Sequence, residues 1–175
     1  DPALSGAGGC IGDIGTHAAN LATFVTGSPL QAVLADLTAF EAGRRLDDNA
    51  SILLRFSSGA KGMIWASQIT PGTKNALRVR IAGSKGGLAW EQESPDLLEF
   101  TPLGEATRLL RRGDGLTGTP TRVPAGHPEG YLEAFATLYS DAADLLEQRL
   151  AGAAEPVGDV LADAQRVALV EQPAA

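Results

Sequence analysis

The chain has 175 residues, of which 44% are hydrophobic and 20% charged, with a formal net charge of -7 at pH 7. This is enough for one domain with a real core, and it is the composition of a globular protein rather than a disordered one. The acidic balance argues against a nucleic-acid surface, and no apolar run approaches the roughly 20 residues of a membrane helix. A single cysteine, Cys10, excludes an intrachain disulfide and a cysteine-cluster metal site. A reducing, cytoplasmic compartment is the simpler expectation. The chain opens "DPALSG" without an initiator methionine, which suggests a piece of something longer.

The first informative stretch is "SGAGGCIGDIGTH", residues 5–17. Gly6, Gly8 and Gly12 come close to the spacing of a dinucleotide loop. Such a loop needs a buried strand before the glycines, a parallel βαβ unit after them, and an acidic residue about 20 positions on. Neither the strand nor the unit is there, so the glycines read as a flexible turn into a helix. That helix is predicted over residues 14–26, with Ile14, Ala18, Leu21 and Val25 on its apolar stripe and Gly27 and Pro29 ending it. Asp13 falls at the N-cap position.

Asp13 and His17 lie four residues apart and so project side by side. Asn20 and Phe24 continue their stripe along the edge of the buried face. A carboxylate next to an imidazole suits proton transfer to or from an alcohol or carbonyl. The alternative is structural: Asp13 only caps the helix, and His17 is a boundary residue bonded to backbone.

From about residue 31 to 112 the hydrophobic period becomes two. The runs "VLADLTAF", "ASILLRF", "KGMIWASQI", "ALRVRIAG", "GLAWEQ", "LLEFTPL" and "TRLLRR" read as strands. The short links "SSGA" and "GSKGG" suit hairpins, so the sheet is expected to be largely antiparallel. Arg44 and Arg45 in "AGRRLDDN" read as solvated partners of Asp47 and Asp48. A Gly/Pro/Thr-rich loop over residues 113–128 leads to a long amphipathic helix, "EGYLEAFATLYSDAADLLEQRLAG", and "VGDVLADAQRVALVE" reads as a shorter one. His127, with Glu129, sits at the loop-to-helix junction, where either a cap-like role or a contact to a substrate mouth is open. The result is an α+β fold: an open, largely antiparallel sheet of about six or seven strands with helices on one face. The other face carries Met63, Trp65, Leu88, Trp90 and Phe100 with nothing left to cover it. That predicts burial against a second copy or another domain. The two tryptophans therefore read as interface or core rather than sugar-stacking platforms, and Cys10 as a buried small hydrophobe.

The order of elements, with "SGAGGCIGDIGTHAANLATFVTG", "GHPEGYLEAFATLYSDAADLL" and "EPVGDVLADAQRVALVE", resembles the C-terminal domain of the Gfo/Idh/MocA oxidoreductases. The most specific part is Gly-x-x-x-Gly-Asp-x-Gly-x-His, matched by Gly8, Gly12, Asp13, Gly15 and His17. The resemblance implies that residues 1–175 form a single substrate-binding and dimerisation domain. The Rossmann domain that binds NAD or NADP would belong to the full-length protein, with none bound to this chain. It implies His17 as proton acceptor from a sugar, cyclitol or similar polyol, with Asp13 orienting the substrate or the histidine. Asn20 stands where many members have an acidic residue, and it is expected at the substrate together with His127. A homodimer through the open sheet face is also implied.

Two other functions compete: a non-catalytic interaction module built on the sheet, and a self-contained Asp/His lyase or hydrolase. The last would need a further acid or a metal, and two histidines without a ligand cluster support no metal site.

Overall fold

The computed structural model describes residues 2–6, 8–115 and 121–151. A short helix α1 (Pro2–Ser5) precedes a π-helical turn (Ile11–Gly15) that runs directly into α2 (Thr16–Thr26). Seven strands follow: β1 (Leu30–Thr38), β2 (Asn49–Phe56), β3 (Lys61–Ser67), β4 (Arg78–Gly83), β5 (Gly86–Glu91), β6 (Leu97–Pro102) and β7 (Arg108–Arg111). The long helix α3 (Tyr131–Leu150) comes last among the described residues. The predicted helix over 157–171 lies outside them. The α+β class, the antiparallel pairing and the strand positions agree with the sequence reading.

The strands divide into a three-stranded sheet, β1-β2-β3, and a four-stranded one, β4-β5-β6-β7. Every tight link expected to be a hairpin joins antiparallel neighbours, whereas the connection from Gln68 to Leu77 carries Pro71 and Gly72 and closes no ladder. The chain accordingly forms two compact units, which meet between Lys74 and Asn75 in sequence.

In the first unit, alternation along the strands sorts the side chains onto two faces. Ala50 pairs with Ala66, Ile52 with Ile64 and Leu54 with Gly62, which puts the apolar set on one side. The π-turn and α2 pack there: Ile11, Ile14, Ala18, Ala19 and Ala22 meet a core of Cys10, Ala50, Leu54, Phe56, Ile64 and Ala66. The alanines let the helix lie close to the sheet, and burial of this apolar area stabilises the unit by roughly 25 cal/mol per Å². Helix α2 ends where expected, with Gly27 in the left-handed region at φ 60°.

Among the described residues, the opposite face of this sheet is left exposed. Leu34 pairs with Leu53, and Leu53 with Met63, so the three make one cross-strand row. Their exposures are 70%, 56% and 74%, and Trp65, one row on, is 65% exposed with its Nε1–H donated to Asn49 Oδ1 at 2.8 Å.

The second unit is a four-stranded meander. Val79, Trp90, Leu98 and Leu110 form one cross-strand row, and Ile81, Leu88 and Phe100 the next, all half-buried. The other face is charged, with Arg78 paired to Glu91 at 3.8 Å. At Gly86 the backbone has φ 152°, and a Cβ would lie 2.4 Å from Thr101 O, so only glycine allows β6 to approach there. Arg112, after β7, pairs with Asp96 at 2.7 Å and Glu129 at 2.5 Å, tying the sheet to the segment before α3.

Candidate active site

The helix begins earlier than the sequence pattern predicts, and Asp13 is not its N-cap. The N–H of Asp13 already bonds to Gly9 O at 3.1 Å, inside the helix. The free donors at the helix start are met instead by Asp47, in the β1–β2 connection. Its carboxylate accepts from Ile11 N at 3.1 Å and from the Cys10 thiol at 3.0 Å, while its carbonyl takes Cys10 N at 2.9 Å. A carboxylate at the positive end of a helix is favourable in its own right. The fit is close at Gly9, where a Cβ would stand 2.1 Å from Asp47 Oδ1. Cys10 is fully buried, and burial first, then its bond to Asp47, pushes its thiol up to about 12. It is a packed, inert group, as the sequence suggests.

Asp48 also departs from the solvated role expected of it. The side chain is fully buried and accepts the N–H groups of Phe40 and Glu41 at 2.9 Å each, with Arg44 at 3.7 Å. The Phe40 N–H foremost, with that of Glu41, holds its carboxyl below the ordinary range against the opposing effect of burial. Its carbonyl accepts Gln68 N at 2.8 Å, fixing the end of β3. Asp47 and Asp48 thus pin three things at one point: the helix start, the end of β1 and the end of β3.

The site residues stand on this support. Thr16 N bonds to Ile11 O, five residues back, which is the extra residue of a π-turn. The turn carries Asp13, and α2 carries His17 and Asn20. All three are exposed, while Ile14 and Ala18 between them pack inward. The Asp13 carboxylate accepts Gln68 Nε2–H at 2.7 Å. Among the described residues no hydrogen bond joins Asp13 to His17, so the carboxylate is oriented by Gln68, the residue after β3, rather than by the imidazole. An open pocket of about 420 Å³ lies beside Gln68, lined also by Glu41, Ser67, Thr70, Thr73 and Lys74. Its walls are mostly hydroxyl, amide and charged groups.

His127 lies in the second unit, exposed, with Nδ1 3.3 Å from Pro124 O and its own carbonyl accepting from Arg112 Nη2. It does not cap α3, and neither does Glu129. The Gly130 N–H at that helix start is taken at 2.8 Å by the Glu133 carboxylate, which this bond chiefly holds below its ordinary pKa. Glu129 is occupied by Arg112 and by Arg122 N at 3.0 Å.

Sequence reasoning missed Asp47, Asp48 and Gln68. Two adjacent carboxylates ahead of a strand and an amide at a strand end were visible signals, but the partners of Asp47 and Gln68 are 36 and 55 residues away, and those of Asp48 are backbone N–H groups 8 and 7 residues back that no side-chain pattern marks.

A sequence profile of the GFO/IDH/MocA C-terminal domain matches residues 1–89, and the chain belongs to that family. It is 33% identical over 145 residues to the uncharacterized oxidoreductase YfiI of Bacillus subtilis (strain 168), covering 79% of this chain and 37% of that protein. The crystal structure of an oxidoreductase from Sinorhizobium meliloti is 51% identical, with a TM-score of 0.73 over 80% of this chain and 42% of its own. An inositol dehydrogenase homolog from Azotobacter vinelandii, complexed with NADH and myo-inositol, is 31% identical, with a TM-score of 0.74 over 93% of this chain and 46% of its own. The chain therefore spans less than half the length of each of these proteins.

Proposed function

We propose that this chain is the substrate-binding and dimerisation half of an NAD(P)-dependent dehydrogenase acting on a cyclitol, sugar or similar polyol in the cytoplasm. The observation that carries the reading is the outward set of Asp13, His17 and Asn20 on the π-turn and α2, with the other side of the same segment locked into the sheet. His17 takes the proton of the hydroxyl being oxidised, in the manner of a positioned general base. Asp13 orients that hydroxyl, and Asn20 hydrogen-bonds a neighbouring one.

The glycine-rich helix start does not fit a dinucleotide phosphate. Gly9 lies against the Asp47 carboxylate, whose charge repels a pyrophosphate, and at the helix start the Ile11 N–H is already taken by that carboxylate and the Cys10 N–H by the Asp47 carbonyl. The nicotinamide cofactor belongs in this reading to another domain of the full-length protein. The relative solved with NADH and myo-inositol supports the cofactor and substrate class. The bare row of Leu34, Leu53 and Met63 supports a homodimer through that sheet face.

The test is steady-state turnover of the full-length protein against a panel of sugars and cyclitols, myo-inositol among them, followed by nicotinamide absorbance. His17→Ala is expected to lower kcat roughly 10²–10⁴-fold, and Asp13→Asn less severely. A His17→Ala variant within a few-fold of wild type defeats the assignment.

A further inference from the structure

We propose that Gln68 is the positioning residue for the Asp13 carboxylate, a role that rests on the dehydrogenase reading above. Asp13 is exposed on the π-turn, and one amide holds it: Gln68 Nε2–H to Asp13 Oδ2 at 2.7 Å. The amide is itself anchored. Gln68 N bonds to Asp48 O at 2.8 Å, and the neighbouring Ser67 hydroxyl reaches the same carbonyl at 3.4 Å. Asp48 in turn is buried and bonded through its carboxylate to Phe40 N and Glu41 N. The orientation of Asp13 is thus set from the interior of the sheet, through a strand end rather than along its own helix.

The chemistry suits a hydroxyl-bearing substrate. A donor on one carboxylate oxygen stops the carboxylate rotating and leaves Oδ1 as the acceptor for a substrate O–H. Because the donor is a neutral amide, it brings no counter-charge to the site, as a lysine or arginine at this place would. Gln68 also lines the open polar pocket with Ser67, Thr70 and Thr73, a pocket that Asp13, His17 and Asn20 do not themselves line. Gln68 does not touch the reacting atoms; it acts through Asp13.

The experiment uses the full-length protein and the polyol turned over best in the panel above. Gln68→Met keeps the length of the side chain and removes the donor, at an exposed position where folding is undisturbed. It is expected to lower kcat/KM roughly 10- to 100-fold, the scale of a mis-set reacting geometry, with Tm unchanged. In an Asp13→Ala background the same substitution is expected to change kcat/KM by less than about twofold, because its target is gone. Full additivity of the two losses, or a loss of under twofold for Gln68→Met alone, overturns the proposal. So does a crystal structure of the full-length protein in which Gln68 Nε2 lies beyond 3.5 Å from Asp13. That structure decides Gln68's hold on Asp13 even if no polyol is turned over, the outcome that defeats the dehydrogenase reading itself.

Discussion

A buried carboxylate has to be compensated, and at Asp48 the compensation is backbone. Its oxygens take the N–H groups of Phe40 and Glu41, and Arg44 stands 3.7 Å away. These groups favour the charged form, so the folded-state pKa lies below the ordinary 3.8. A depressed carboxylate pKa stabilises the fold fully above the unfolded value, and that contribution is lost as pH falls through the folded value. Asp48→Asn is therefore expected to lower Tm by several degrees at pH 7. The gap to wild type should narrow as pH falls below about 4, where the unfolded state's carboxyl takes up its proton while the folded one still resists, and it should close once pH has passed the lower folded-state value. Circular dichroism melts at pH 7 and pH 3 read both effects, and an equal gap at the two pH values contradicts the account. Cys10 illustrates the opposite sign: buried beside Asp47 it stays a thiol well past neutral pH.

Where one element meets another, tolerance is set by contact rather than by propensity. The π-turn starts against the β1–β2 connection, and Gly9 is where the two backbones nearly touch. A Cβ there would lie 2.1 Å from Asp47 Oδ1 and 2.5 Å from Asp47 O, and the second atom is main chain that cannot swing aside. Gly9→Ala is expected to cost roughly 1–3 kcal/mol of stability, the usual scale of overpacking. In the full-length protein it should also lower kcat, because Asp13 and His17 follow directly on the displaced segment. Gly115 serves as the control, since a Cβ there meets nothing within 4 Å. Gly115→Ala is expected to be within about 0.5 kcal/mol of wild type. Urea titration compares the two, and equal stability for Gly9→Ala removes the argument.

At the scale of the whole molecule the cost lies in the sheet face that the described residues leave exposed. Leu34, Leu53, Met63 and Trp65 are each more than half exposed. At roughly 25 cal/mol per Å², covering a patch of a few hundred Å² is worth several kcal/mol on association. A two-fold contact buries the same patch on both copies and closes without forming fibres. Light scattering of the full-length protein is expected to give a dimer, and Leu53→Arg with Met63→Arg a monomer. A dimer mass that persists in the double variant places the interface elsewhere.

The local patterns of the sequence determined most of the elements. Alternation located all seven strands, the spacing of Ile14, Ala18 and Leu21 marked α2, and Gly27 ended it, because each depends only on neighbours within a turn or a hairpin. The Gly-x-x-x-Gly-Asp-x-Gly-x-His stretch likewise pointed to the candidate site from within ten residues. What tertiary structure decided was every contact closed over a long separation. Asp47 became the cap that Asp13 was expected to be, Asp48 went from surface to interior, and Gln68 came to hold Asp13 across 55 residues. The division of the strands into two sheets belongs with these, since a strand's pattern shows which face is apolar but not which neighbour completes its ladder. A side chain's chemistry is written in its own residue; its partner is chosen by the fold.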